Sequence, residues 1–289
     1  MIVCPILIFT DKSINRYDFS ETAKLRKISQ DEIKLFFGVE ASFDCNQRAI
    51  GISQMQDKWQ ANIWYGLPKK TVVKEMNFGG IAYIPYYLLE SPSASEISIL
   101  ISSLHISKEQ KFTCPIGIES SSENELKRHY FYPFNFEANN SCVLSMDDLR
   151  KTQKIFLSLT KKSTDPKVSI VVKRLLRCCD SDQSKELIMI DAVSIAESIL
   201  CKRDEKGIKQ NFAFRAEKLL NQFGFTVNVE EIRELYKIRS ELVHFGHSKN
   251  FTTEKMRKML FYTKKIIEVY VLDEPSISAF KGMKSEPGN

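Results

Sequence analysis

Seven cysteines and four histidines are all that this 289-residue chain offers to disulfide or soft-metal chemistry, and neither set is arranged for it. The cysteines are odd in number and contain no C-x-x-C pair, which argues against both a disulfide framework and a zinc site. Cys178 and Cys179 are adjacent at the end of an apolar helical pattern and read as core. His105, His129, His244 and His247 have no carboxylate neighbours at ligand spacing, so neither a metal nor another cofactor is expected. Long apolar runs are missing too. Nothing approaches the roughly eighteen residues of a spanning helix, and the opening MIVCPILIF lacks a basic flank and reads as a first strand. A cytoplasmic location without a membrane partner is the expectation.

The composition is 43% hydrophobic and 27% charged, that of an ordinary globular protein with room for two domains. Charge is uneven along the chain. Residues 1–150 carry 16 Lys and Arg against 18 Asp and Glu, whereas residues 151–289 carry 26 against 18. The second part therefore suits a polyanion, although solvated helix faces explain such an excess equally well.

The pattern predicts an α+β protein. Residues 1–144 form a β-rich domain, a sandwich or an irregular barrel. Its short runs are Ile2–Phe9, Ile33–Val39, Trp59–Tyr65, Thr71–Val73, Ile81–Leu88 and Ile97–Leu104, separated by clusters such as SPSAS and GLPKK. The aromatic residues Trp59, Trp64, Tyr65, Tyr83, Tyr86 and Tyr87 are core or base-stacking candidates.

Near Ser145 the pattern changes to an all-helical domain over residues 145–274. SMDD is a capping box with Ser145 as N-cap and Asp148 in the usual Glu place. Asp165-Pro166 starts a second helix with Val168, Val171, Val172, Leu175, Leu176 and Cys179 at core spacing. From Ser184 to Cys201 the apolar residues run almost all the way round, leaving a narrow polar stripe of Asp191, Ser194, Glu197 and Ser198. A helix of that kind is central in its bundle. Ile208–Asn221 follows, with Arg215 in the place of a core residue. The helix Thr253–Leu272 carries a basic side of Lys255, Arg257, Lys258, Lys264 and Lys265, and residues 275–289 read as a flexible tail.

The stretch Glu230–His247, EEIRELYKIRSELVHFGH, is where the domain concentrates its unusual residues. On a helix, Ile232, Leu235, Tyr236, Ile238, Leu242, Val243 and Phe245 share one broad apolar arc with Arg239 in its middle. An arginine there needs a partner or a job, because taking its charge out of water is expensive. Ser240 and His244 line the edge of the arc beside the charged face of Arg233, Lys237 and Glu241, and Gly246 is the helix stop.

Arg239-Ser240-Glu241-Leu242-Val243-His244 resembles the R-x(4-6)-H signature of the HEPN superfamily, with a polar residue after the Arg. Over residues 145–272 the chain looks like the ApeA-like branch. IDAVSIAESIL resembles that branch's A-L-E helix and sets Glu197 at its Glu, with Ser198 where Leu is usual. FAFRAEKLL resembles R-A-x-x-L-L and sets Arg215 at its Arg; LYKIRSELVHFG resembles L-Y-x-x-R-S-x-x-V-H-G. Phe245, between His244 and Gly246, departs from the usual His-Gly pair.

The resemblance implies a metal-independent endoribonuclease, acting on RNA such as tRNA in anti-phage defence or a toxin system. Its composite active site forms where two protomers meet. His244 would be the general acid or base for attack of a ribose 2′-OH on the adjacent phosphate, and Arg239 would hold that phosphate. Glu197, Arg215, Ser240 and Lys237 would orient Arg239 or contact RNA. A buried Glu-Arg network fixing helix register is the structural alternative for Glu197 and Arg215. The β-rich part would be a sensor or substrate-selecting element answering to a regulatory partner or phage trigger. The alternative function is a catalytically inactive HEPN module that binds RNA or a nucleotide, or regulates a partner.

Overall fold

Strands dominate the first part of the chain and helices the rest, which makes the protein α+β. The computed structural model describes residues 1–6, 8–11, 14–37, 39–43, 49–54, 86–108, 116–120, 126–130, 142–180, 183–202 and 205–283. The chain divides into two compact units, Met1–Ile101 with Gln110–Gln153, and Ser102–Glu109 with Lys154–Asn289.

In the first unit the strands are β1 (Ile2–Ile6), β2 (Ile8–Thr10), β3 (Arg16–Asp18), β4 (Lys24–Lys27), β5 (Val39–Phe43), β6 (Ala49–Gln54), β7 (Tyr87–Ser91), β8 (Ile116–Ser120), β9 (Leu126–Tyr130) and β10 (Cys142–Leu144). Six of them form one antiparallel sheet in the order β3-β4-β7-β1-β8-β9. Strand β7 is interior and buried at every residue, as a strand covered on both faces is. Cys4, Ile6, Leu25, Leu88 and Leu89 are fully buried in its surroundings. The remaining strands form two pairs, β2 with β10 in parallel and β5 with β6 antiparallel. Among the described residues this is a single sheet with two small pairs, in place of the expected sandwich or barrel.

Two of the expected strand runs are helical. Helix α1 is Gln30–Phe37 and α2 is Ala94–Ser107. In α2 the run Ile97–Leu104 is buried but for Ser98 and so shows no amphipathic period. Its start is chemical instead: the Ser93 hydroxyl accepts from the Glu96 N–H at 3.2 Å, a S-x-x-E cap. Ile2–Phe9 is strand as expected, split into β1 and β2. Trp59–Tyr65, Thr71–Val73 and most of Ile81–Leu88 lie outside the described residues.

The helices that follow are α3 (Met146–Lys161), α4 (Pro166–Cys179), α5 (Lys185–Leu200), α6 (Ile208–Gln222), α7 (Val229–Phe245), α8 (Thr253–Leu272) and α9 (Glu274–Gly282). The expected local signals operate. Ser145 and Asp148 cap α3 reciprocally, at 2.9 and 3.1 Å. Asp165 caps α4 with Pro166 in its first turn, and Ser184 caps α5. Helix α5 is central in its unit, packing against α4, α6, α7, α8 and α9. Within its polar stripe Asp191 is buried and paired to Arg177 of α4 at 2.7 Å, whereas Ser198 is exposed. Of the segment expected as a flexible tail, residues 275–282 belong to α9, which buries Ile277 and Phe280 and is capped by Asp273, and residues 284–289 lie outside the described residues.

Candidate functional site

Helix α7 starts where the Asn228 carboxamide oxygen accepts from the Glu231 N–H, at 2.8 Å. It ends where Gly246, at φ 72°, takes the left-handed turn and returns its N–H to Leu242 O. Between these caps the apolar arc divides. Ile232, Leu235, Ile238 and Leu242 are buried, whereas Val243 is 49% and Phe245 71% exposed.

Arg239 sits on the boundary and is half-buried. Its guanidinium lies over the Tyr236 ring, 5.7 Å from the centroid. Nη2 reaches toward α5 and donates to Ser194 Oγ at 3.4 Å, while Nε is buried with no partner. Ser194 is free to accept because its own hydroxyl proton goes to Ile190 O, 2.7 Å away. One turn further along α5 is Glu197, whose Oε2 is also buried without a hydrogen-bond partner. Burial, and then the Glu197 carboxylate that accepts from its hydroxyl, push Tyr236 up to about 12. Ser194, Glu197, Tyr236 and Arg239 therefore form one polar cluster between α5 and α7. Sequence reasoning missed Tyr236 as a member, although a phenol three residues before the misplaced arginine was the available signal.

His244 is exposed in the last turn, with its ring 6.3 Å from that of Phe245 and tilted by 60°. It lies five positions after Arg239, which on a helix is an angular difference of about 140°. Ser240 is half-buried beside Arg239. Lys237 is exposed and its ammonium is 3.8 Å from Glu241. His247 follows the cap, its Nδ1 3.0 Å from Phe245 O.

Arg215 is separate from this cluster. It is 1% exposed and every N–H of its guanidinium is engaged. Nε and Nη2 donate to Met283 O at 2.8 and 2.6 Å, and Nη1 donates to Leu200 O at 3.1 Å. Glu205 receives Nη1 and Nη2 at 2.8 and 2.5 Å, a bidentate pair. The structure places Arg215 apart from Arg239, with its donors taken by Glu205 and the carbonyls of Leu200 and Met283. The structural alternative paired Arg215 with Glu197; the carboxylate partner of Arg215 is Glu205 instead. Glu205 lies in the loop before α6, where no helical period could announce it.

The basic side expected on α8 is also corrected. Lys264 is buried, Lys255 pairs with Glu234 at 2.7 Å, and Lys258 pairs with Glu231 at 2.6 Å. Lys255 and Lys258 fasten α8 to the acidic first turns of α7, while Arg257 and Lys258 stay exposed.

Among the described residues no group of three or more His, Cys, Asp or Glu is placed to hold a metal ion, and no helix is long and apolar enough to cross a membrane. Cys4, Cys178, Cys179 and Cys201 are buried, and burial pushes the Cys201 thiol up to about 11. No family model, curated protein or solved structure matches this chain.

Proposed function

We propose that the chain is a metal-independent endoribonuclease of the HEPN type, in its ApeA-like branch, with Arg239 and His244 as catalytic residues. The observation that carries this reading is the contrast between two arginines at core positions. Arg215 is saturated by five donated hydrogen bonds, as a structural arginine is. Arg239 has one long hydrogen bond and a ring contact to Tyr236, and among the described residues no carboxylate pairs with it, so its charge is held in position but not neutralised. A phosphate would neutralise it.

In the reaction, His244 takes the proton of a ribose 2′-OH as its oxygen attacks the adjacent phosphorus. The O2′–P bond forms and the P–O5′ bond breaks. A proton passes to the departing O5′, leaving a 2′,3′-cyclic phosphate and a 5′-OH. Arg239 stabilises the charge on the pentacoordinate phosphorus oxygens. Ser194 and Tyr236 hold Arg239, and Glu197 steadies Tyr236.

The divergence of Arg239 and His244 around α7, together with exposed Val243, supports a homodimer in which two copies of the helix complete the site. RNA, including tRNA, is the substrate class, and defence or a toxin system is the setting, by analogy with the family. The sheet-containing unit is the sensor or substrate-selecting part on the same analogy.

A second reading, a catalytically inactive HEPN binding module, is favoured by one observation. Lys255 and Lys258 are spent on pairs within the unit, which shrinks its basic footprint. Incubating total RNA with the full chain in EDTA separates the two. Cleavage that is lost in both Arg239→Ala and His244→Ala supports the enzyme; RNA bound and left intact supports the module.

A further inference from the structure

Phe245 is the most exposed large apolar residue among those described, at 71%, and the proposed chemistry does not use it. It is also the residue by which this chain departs from the His-Gly pair. Its position is well defined. It is the last residue of α7, Gly246 closes the helix behind it, and its carbonyl is 3.0 Å from His247 Nδ1. Its ring lies 6.3 Å from that of His244. Leaving a phenyl ring in water forfeits the burial that usually holds it in a fold.

We infer that Phe245 is a stacking platform for the nucleobase whose ribose carries the attacking 2′-OH. The inference rests on the ribonuclease reading. Aromatic rings prefer offset or tilted contact with centroids about 4.5–7 Å apart, so a base on Phe245 hangs its sugar within reach of the neighbouring imidazole. Exposed Lys249, just past the helix end, supplies a cation for a flanking phosphate, and exposed Lys237 lies about two turns back along α7. The committed occupant is therefore a single-stranded, unpaired nucleotide. Because every base has a π face, the platform selects for an unpaired position more than for a base identity.

The probe is a single-stranded 2′-O-methyl RNA oligonucleotide containing 2-aminopurine, which has no 2′-OH to react and loses fluorescence when it stacks. Binding to the full chain is followed for wild type, Phe245→Tyr and Phe245→Leu. Wild type and Phe245→Tyr are expected to bind and quench. Phe245→Leu keeps the apolar bulk without the π face, and should bind about tenfold more weakly without quenching. On cleavable RNA it should raise KM more than it lowers kcat. Equal binding and quenching by Phe245→Leu overturns the proposal, as does a wild type that leaves the probe unquenched. Loss of activity together with a shift to monomer in Phe245→Leu overturns it in favour of a subunit contact. Wild-type quenching without any cleavage of natural RNA defeats the ribonuclease reading and leaves the stacking surface standing.

Discussion

Arg239 of α7 donates from Nη2 to Ser194 Oγ of α5, 3.4 Å away, and this is its only hydrogen bond to a side chain among the described residues. A cation tethered by one long bond is oriented without being neutralised. Ser194→Ala should therefore lower cleavage about fivefold, the worth of a single modest hydrogen bond, while thermal stability changes little. Ser194→Thr should restore activity. An unaltered rate in Ser194→Ala would remove Ser194 from the positioning of Arg239.

Arg215 and Glu205 make the opposite case. Neutralising Glu205 strands a guanidinium that is 1% exposed, so Glu205→Gln should cost about 3–5 kcal/mol in urea unfolding. The same pair sets an acid limit. Arg215 holds the Glu205 carboxyl below its ordinary 4.5, so its contribution is complete above that value and is lost as pH falls through the lower folded pKa. Wild type should lose stability below about pH 4.5 more steeply than Glu205→Gln, and parallel acid profiles would contradict this.

Tyr236 sets an alkaline limit. Its folded pKa is raised from 10.0 to about 12, so the fold favours the protonated phenol. That contribution is full below pH 10.0 and drains away as pH rises to about 12. Urea melts at the two ends of this window should show a loss in wild type that Tyr236→Phe lacks in part. Tyr236→Phe should also lower cleavage, because Arg239 would then rest on a ring that no longer reaches Glu197.

How much of this was legible in the sequence follows from how local each signal is. Caps are local, so Ser145 with Asp148, Asp165-Pro166 and Gly246 all marked their helix ends correctly. The centrality of α5 was legible from its narrow polar stripe. Helix α2 was not, because nearly uniform burial erases the helical period, and only the Ser93 to Glu96 cap betrayed it. Arg239 stood out as a charge on an apolar arc, yet its neighbours Ser194, Glu197 and Tyr236 depend on how two helices dock. Arg215 was equally visible, but its partner Glu205 lies in a loop, and the carbonyl of Met283 lies beyond a helix that had been read as tail.

Gly246 is a backbone requirement rather than a packing one. A Cβ there would meet nothing within 4 Å, so Gly246→Ala isolates the strain of φ +72°. The expected loss is about 1–2 kcal/mol, with Gly246→Asn milder. An unchanged melting temperature in Gly246→Ala would show that the helix end relaxes without the left-handed turn.

The most direct test of the central claim is the chemistry of the ends left on cleaved RNA in EDTA. Mass spectrometry of products from the full chain should find 2′,3′-cyclic phosphate and 5′-OH termini, with DNA of matching sequence intact. Both Arg239→Ala and His244→Ala should abolish these products while keeping the wild-type melting profile. Products ending in 3′-OH and 5′-phosphate, or undiminished cleavage by His244→Ala, would contradict the account.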